Sequence, residues 1–276
     1  MAANAASLLT NVFGQKTDIG KIVQNFDFSQ INVRDSKSDD YLHTDLAPSF
    51  GKDGQDLKES MRAIDDRLKI MVAATMMTLA RQNDKSWDAV VRTMMQNEIA
   101  MPDGEGIARS DTLVRNSLND FKFDGGPDAS IVREVQTWFN RLVSDPDVLN
   151  STKIDINVLA KIVAQTGATV DSFESFFAKE EHHEQTLIDI GVLRFPDIDH
   201  PYFKLYRIKL VAWSDSRRIM FHSEDKNGIT GGRSDADVRI NPEYNCRVFR
   251  PRASVIDCLT QAAHAKAVAT FDAMFS

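Results

Sequence analysis

The stretch Gln185-Thr-Leu-Ile-Asp-Ile-Gly-Val-Leu-Arg-Phe195 marks a change of hydrophobic period. Before it, apolar residues recur every three or four positions, as on one face of a helix. From about residue 185 the period is two, and branched and aromatic residues dominate. Similar runs follow at 202–213, 217–223 and 244–249, punctuated by Pro196, Pro201, Pro242 and Pro251. Asn227-Gly228 and Gly231-Gly232 place a long polar connection before the last run. These runs predict an antiparallel sheet. A helix from about Ala253 closes the chain, with Ile256, Leu259, Ala263, Ala267, Phe271 and Met274 three or four apart.

Upstream, Leu57, Met61, Ile64, Leu68, Met71 and Thr75 keep one helical face apolar, and the second half of that helix is apolar on nearly every face. It is expected at the centre of a bundle. Ser86 is placed to cap a helix carrying Trp87, Val90, Val91, Met94 and Met95. Ser110 does the same for Leu113, Val114 and Leu118, and two more helices are expected around 131–142 and 156–165. Asp171-Ser-Phe-Glu174 has the form of a capping box before Phe176 and Phe177. Residues 34–55 read as a polar linker, and Pro102, Gly104 and Gly106 break the chain. The expected architecture is therefore α+β: an N-terminal helical bundle, then a small antiparallel sheet and a C-terminal helix. The divisions are 1–55, segment and linker; 56–183, helical domain; 184–276, sheet plus helix.

Composition bounds the function. The 276 residues are 42% apolar and 26% charged, ordinary globular usage, and long enough to fold without a metal or disulfide. The net charge of −7 is uneven: residues 1–183 carry −8 and residues 184–276 carry +1. An acidic chain repels phosphate backbones, so general nucleic-acid binding is not expected. Two cysteines, Cys246 and Cys258, suit a reducing compartment. The first residues lack the basic and apolar regions of a secretory signal, and no apolar run approaches the ~20 residues of a membrane span. The expected location is cytoplasmic.

The motifs are poor in chemistry. Gly14 to Ile22 resembles a P-loop, but five residues separate the glycines and Ile22 has no hydroxyl for magnesium. Gly228-Ile-Thr-Gly231-Gly232 opens no helix and reads as a flexible hairpin loop. Glu180-Glu181-His182-His183-Glu184, read as a helix, puts Glu180 and His183 on one side, yet no second Glu-x-x-His completes a metal site. It reads as a solvated helix end, with no metal and no cofactor expected. Cys258 and His264 lie on different sides of one helix and cannot pair.

These residues fit a non-catalytic protein–protein interaction subunit, an adaptor or structural component of a larger bacterial or viral assembly such as a secretion machine or virus particle. Its partners would be other protein subunits or a second copy. The docking residues expected are Phe271, Met274 and Phe275 on the terminal helix, with Arg247 and Arg250. Two alternatives are an enzyme with a dispersed site, performing metal-assisted hydrolysis, and an RNA-associated protein using Arg217, Arg218, Arg247, Arg250 and Arg252.

Overall fold

The computed structural model describes residues 32–48, 59–120, 129–164, 178–219, 222–230 and 243–275. The elements run β1 (Asn32–Leu46), α1 (Glu59–Arg81), α2 (Trp87–Gln96), β2 (Ala100–Arg109), β3 (Leu113–Asp120), α3 (Ala129–Val143), α4 (Pro146–Ser151), α5 (Ile156–Ala164), β4 (Ala178–Phe195), β5 (Tyr202–Ile219), β6 (His222–Thr230), β7 (Tyr244–Pro251), α6 (Ala253–Ile256) and α7 (Gln261–Phe275). All seven strands belong to one mixed sheet. This corrects the expected helical bundle with a small antiparallel sheet after it. Three strands come from the first 120 residues, and helices cover both faces of the sheet.

β5 organises the sheet. One edge pairs antiparallel with β4 along its whole length, from Phe195↔Tyr202 to Ala178↔Ile219. The other edge is shared: β7 takes Phe203–Ile208 and β6 takes Val211–Ile219. β3 then extends β6, and β2 extends β7. β1 lies parallel to β4 on the far side, with Asn32 beside Glu180 and Leu46 beside Arg194.

Alternation along the central strands separates two cores. Leu187, Leu193, Tyr206, Ile208 and Leu210 pack with Trp138 and Phe139 of α3 and Leu159 of α5. On the opposite face Ile190, Val192, Phe203, Leu205 and Phe249 pack with Leu68, Met71 and Met76 of α1, Met94 of α2 and Phe271 of α7. A strand covered on both faces reads as a nearly continuous apolar run, which is why 185–195 and 202–213 stood out.

Several expected elements are replaced, each for a physical reason. Residues 34–46 of the expected linker belong to β1, whose run from Arg34 to Asp40 is polar; an edge strand held by backbone bonds to one neighbour needs no apolar alternation there. The break at 101–106 is β2, a strand interrupted by a bulge: its register with β7 shifts between Asp103 and Ile107, where Gly104 has φ +71°. The helix expected after Ser110 is β3, and Glu180–Glu184 lies inside β4. Asn227-Gly228 belongs to β6; a Cβ on Gly228 would lie 2.3 Å from the Leu113 carbonyl oxygen, so the glycine permits the close approach of β3. Residues 14–22, 171–177 and 231–232 lie outside the described residues.

Other local signals hold. Ser86 caps α2, its hydroxyl accepting the Ala89 amide at 3.3 Å. The apolar spacing at 131–142 is α3 and that at 156–164 is α5. The closing helix is split into α6 and α7. α4, capped by Asp145 with Pro146 in its first turn, was not anticipated.

Candidate functional site

Arg207 sits on β5 between Tyr206 and Ile208, so it faces the α1–α2 side of the sheet with Phe203, Leu205 and Lys209. Beside it are Ile190 on β4 and Asn245 on β7. Helix α1 covers Phe203 and Leu205. Over Arg207 the cover is the α1–α2 connection and the first turn of α2, and between cover and sheet lies a cleft of about 550 Å³. Ser38 and Asp40 of β1, Ile188 of β4, and Asn83 to Asp88 line it with Arg207 and Lys209.

Arg207 is only 6% exposed, yet its guanidinium has no hydrogen bond or ion pair among the described residues, and its Nε is wholly buried. Burial draws its proton affinity below that of an ordinary arginine, and Asp84 opposes this only through its field. Arginine stays charged regardless. A guanidinium with one nitrogen sealed from water and none bonded to the described protein carries a desolvation cost that a bound anion would offset.

The cover carries charges of both signs. Asp84 accepts the Ser86 amide at 2.8 Å, and those bonds to Ser86 hold its carboxyl below the usual carboxylate range. With Ser86 capping through Ala89, the amides of Trp87 and Asp88 have no partner within the helix, and they carry the positive end of its dipole. Lys85 and Lys209, both half-buried, form no ion pair among the described residues.

A second polar constellation lies on the opposite face. Asp189 of β4 is fully buried. Its Oδ1 is 3.0 Å from His43 Nε2; its Oδ2 accepts from Thr152 Oγ1 at 2.5 Å, Lys153 N at 3.0 Å and the Tyr206 hydroxyl at 3.4 Å. Tyr206 OH is also 3.0 Å from His43 Nε2, while His43 Nδ1 is buried without a partner. Burial, with the Asp189 charge beside it, pushes the Tyr206 phenol far above its ordinary value. The Thr152 hydroxyl and the Lys153 amide donate to the carboxylate, and the Tyr206 hydroxyl lies between the carboxylate and the imidazole. The group clamps β1, β4, β5 and the α4–α5 connection together.

The residues singled out from sequence are dispersed. Phe271 is 3% exposed, with Lys69 Nζ 5.7 Å and the Arg194 guanidinium 4.8 Å from its ring centre. Lys69 also bonds Asp272 at 2.9 Å, so α7 closes this chain's own core there. The side chains of Met274 and Phe275 lie outside the described residues. Arg250 bonds Asp103 at 2.8 Å, Arg252 is exposed, and Arg247 is half-buried against Gly106. Arg217 bonds Glu180 at 2.9 Å near the other end of β5, about 45 Å along the strand from the Arg250 end at ~3.3 Å per residue. Arg217 and Arg250 are therefore not one patch; the side chain of Arg218 lies outside the described residues.

Because Glu180 and His183 lie in a strand, they point to opposite faces, correcting their placement on one helix side. His182 pairs with Asp215, and His183 Nε2 is 3.5 Å from Glu181. Among the described residues no group of three side chains could hold a metal ion, and no helix is long and apolar enough to cross a membrane. Both cysteines are free; burial pushes the Cys246 thiol up to about 11, whereas Cys258 is exposed. At neutral pH a thiol reagent is expected to modify Cys258 quickly and Cys246 only after denaturation, giving one and then two equivalents. Two fast equivalents in native protein would contradict this burial.

No protein-family model matches the chain, and no curated protein matches it. Among solved structures, it aligns with the structure of the Evf virulence factor over 95% of this chain and 90% of that one, at 9% identity and a TM-score of 0.19. So slight a likeness carries no argument.

Proposed function

We propose that this chain is a non-catalytic recognition component and that the cleft above Arg207 takes up an anionic group of its ligand. The observation that carries the reading is the buried, unpartnered guanidinium facing a cleft of ligand size. An anion there would supply the charge-assisted bonds that Arg207 lacks, aided by the α2 amides and by Lys209. The chain acts in this reading by binding, as in the interaction-subunit class the sequence suggests, with the bound anion as what it recognises or carries.

The test separates a binding arginine from a structural one. Arg207→Met is expected to raise the stability of the ligand-free protein by about 1–3 kcal/mol, since it removes a buried cation that no group of the described protein bonds. At ~2–4 °C per kcal/mol, the melting temperature should rise measurably. Calorimetric titration with acetate and with inorganic phosphate should show saturable binding of at least one to the native chain and none to the variant. A variant that melts lower, in a native protein that binds neither anion, would sink the reading.

A further inference from the structure

Resting on that reading, we infer that the ligand is a zwitterion of the amino-acid type, its carboxylate on Arg207 and its ammonium at the acidic mouth of the cleft. Depth orders the charges in this cleft. Arg207 lies on the floor, Lys209 and Lys85 are half-buried, and Asp40, Asp84 and Asp88 are exposed at the opening. The floor is positive and the mouth negative.

That order selects among anions. A polyanion such as a nucleoside triphosphate would meet three carboxylates on the way in, and like charges held this close repel. A plain cation would be attracted by the mouth and refused by the floor. One guanidinium on the floor is neutralised by one negative charge, and a planar carboxylate matches its fork with two parallel bonds.

The mouth then has its own requirement. Asp40 stands on β1 opposite Ile188, which stands opposite Lys209, so Asp40 is two strands, roughly 9–10 Å, from the β5 backbone. Asp84 hangs from the α1–α2 connection, held as a carboxylate by its bonds to Ser86. One acid is fixed on the sheet and one on the cover, on either side of the opening. An ammonium a few ångströms from the bound carboxylate would enter the field of both.

The experiment uses a four-carbon carboxylate series on the full chain: butyrate, 4-hydroxybutyrate and 4-aminobutyrate, titrated by calorimetry at one ionic strength. 4-Aminobutyrate is expected to bind at least ~tenfold more tightly than butyrate, the size of one charge-assisted hydrogen bond. In the double variant Asp40→Asn, Asp84→Asn that ratio should fall towards one. The asparagine at 84 keeps an oxygen for the Ser86 amide, so the loss would report charge and not a collapsed cover. Equal affinity for butyrate and 4-aminobutyrate, with both abolished by Arg207→Met, would overturn the zwitterion and leave the anion cleft standing. Equal or tighter binding of 4-hydroxybutyrate would overturn it in favour of a hydroxy acid. No binding of any of the three would overturn the zwitterion, and the anion cleft with it when inorganic phosphate also fails to bind.

Discussion

Gly191→Ala is expected to cost the protein about 3–5 kcal/mol, read as a fall in the urea midpoint, and to leave part of the population unfolded under ordinary conditions. A Cβ at this position would lie 2.2 Å from Cζ of Tyr206 and 2.3 Å from its hydroxyl oxygen. Elsewhere a flexible side chain could swing away. Here the ring is fully buried among Trp138, Phe139 and Leu159, and its hydroxyl is tied to His43 and Asp189. Overpacking ordinarily costs 1–3 kcal/mol, and moving the ring would break the hydroxyl's bonds as well. The double variant Gly191→Ala, Tyr206→Ala should lose less than the two single losses added, because the ring that clashes is gone. A midpoint shifted by less than ~1 kcal/mol for Gly191→Ala alone would show that the strand gives way freely.

Asp189→Ala should be equally severe, about 3–5 kcal/mol, by a different route. It adds no clash. It removes the acceptor for His43, Thr152, the Lys153 amide and Tyr206, at a carboxylate with no exposed surface. Buried donors left unsatisfied each cost on the order of 1–3 kcal/mol, partly recovered if water enters the space. Asp189→Asn should lose less, because the amide oxygen still accepts, though its NH₂ would face donors. Chemical unfolding of the two variants gives the order directly. Asp189→Ala as stable as the native protein would mean that the clamp is not what joins β1 to the sheet.

Much of this architecture was legible where burial is two-sided, and little where it is one-sided. The runs at 185–195 and 202–213 declared themselves because both faces are covered. β1 did not, since Asp35, Ser36, Lys37, Ser38, Asp39 and Asp40 give a strand no apolar alternation to read. β2 was obscured by the residues that let it bend, Pro102 and Gly104. Glu180 to Glu184 carries helix-like charge spacing, and what makes it a strand is pairing with 213–217 of β5, a contact the local sequence does not contain.

The candidate site was hidden by the same alternation that reveals the sheet. Within the otherwise apolar run at 202–213, Arg207 and Lys209 alternate with Tyr206, Ile208 and Leu210, which locally is the pattern of a strand with one face in water. Nothing near residue 207 says that a connection more than a hundred positions earlier, at 83–88, will cover that face. Asp189 left more of a trace. It is the one acid in the apolar run at 185–195, followed two positions later by a glycine. An acid inside such a run must find donors when it is buried, and a glycine on the same face leaves room for a large neighbour.

The parallel pairing of β1 with β4 also bears on how the chain is made. His43 and Asp189 are 146 residues apart. At ~5–20 residues per second, the ribosome completes the acid roughly 7–30 s after the histidine. For that interval β1 exists without the strand it will join, exposing backbone groups that invite pairing with any other extended chain. Its run of aspartate, serine and lysine suits the wait: charged, hydrated side chains discourage such encounters until β4 arrives.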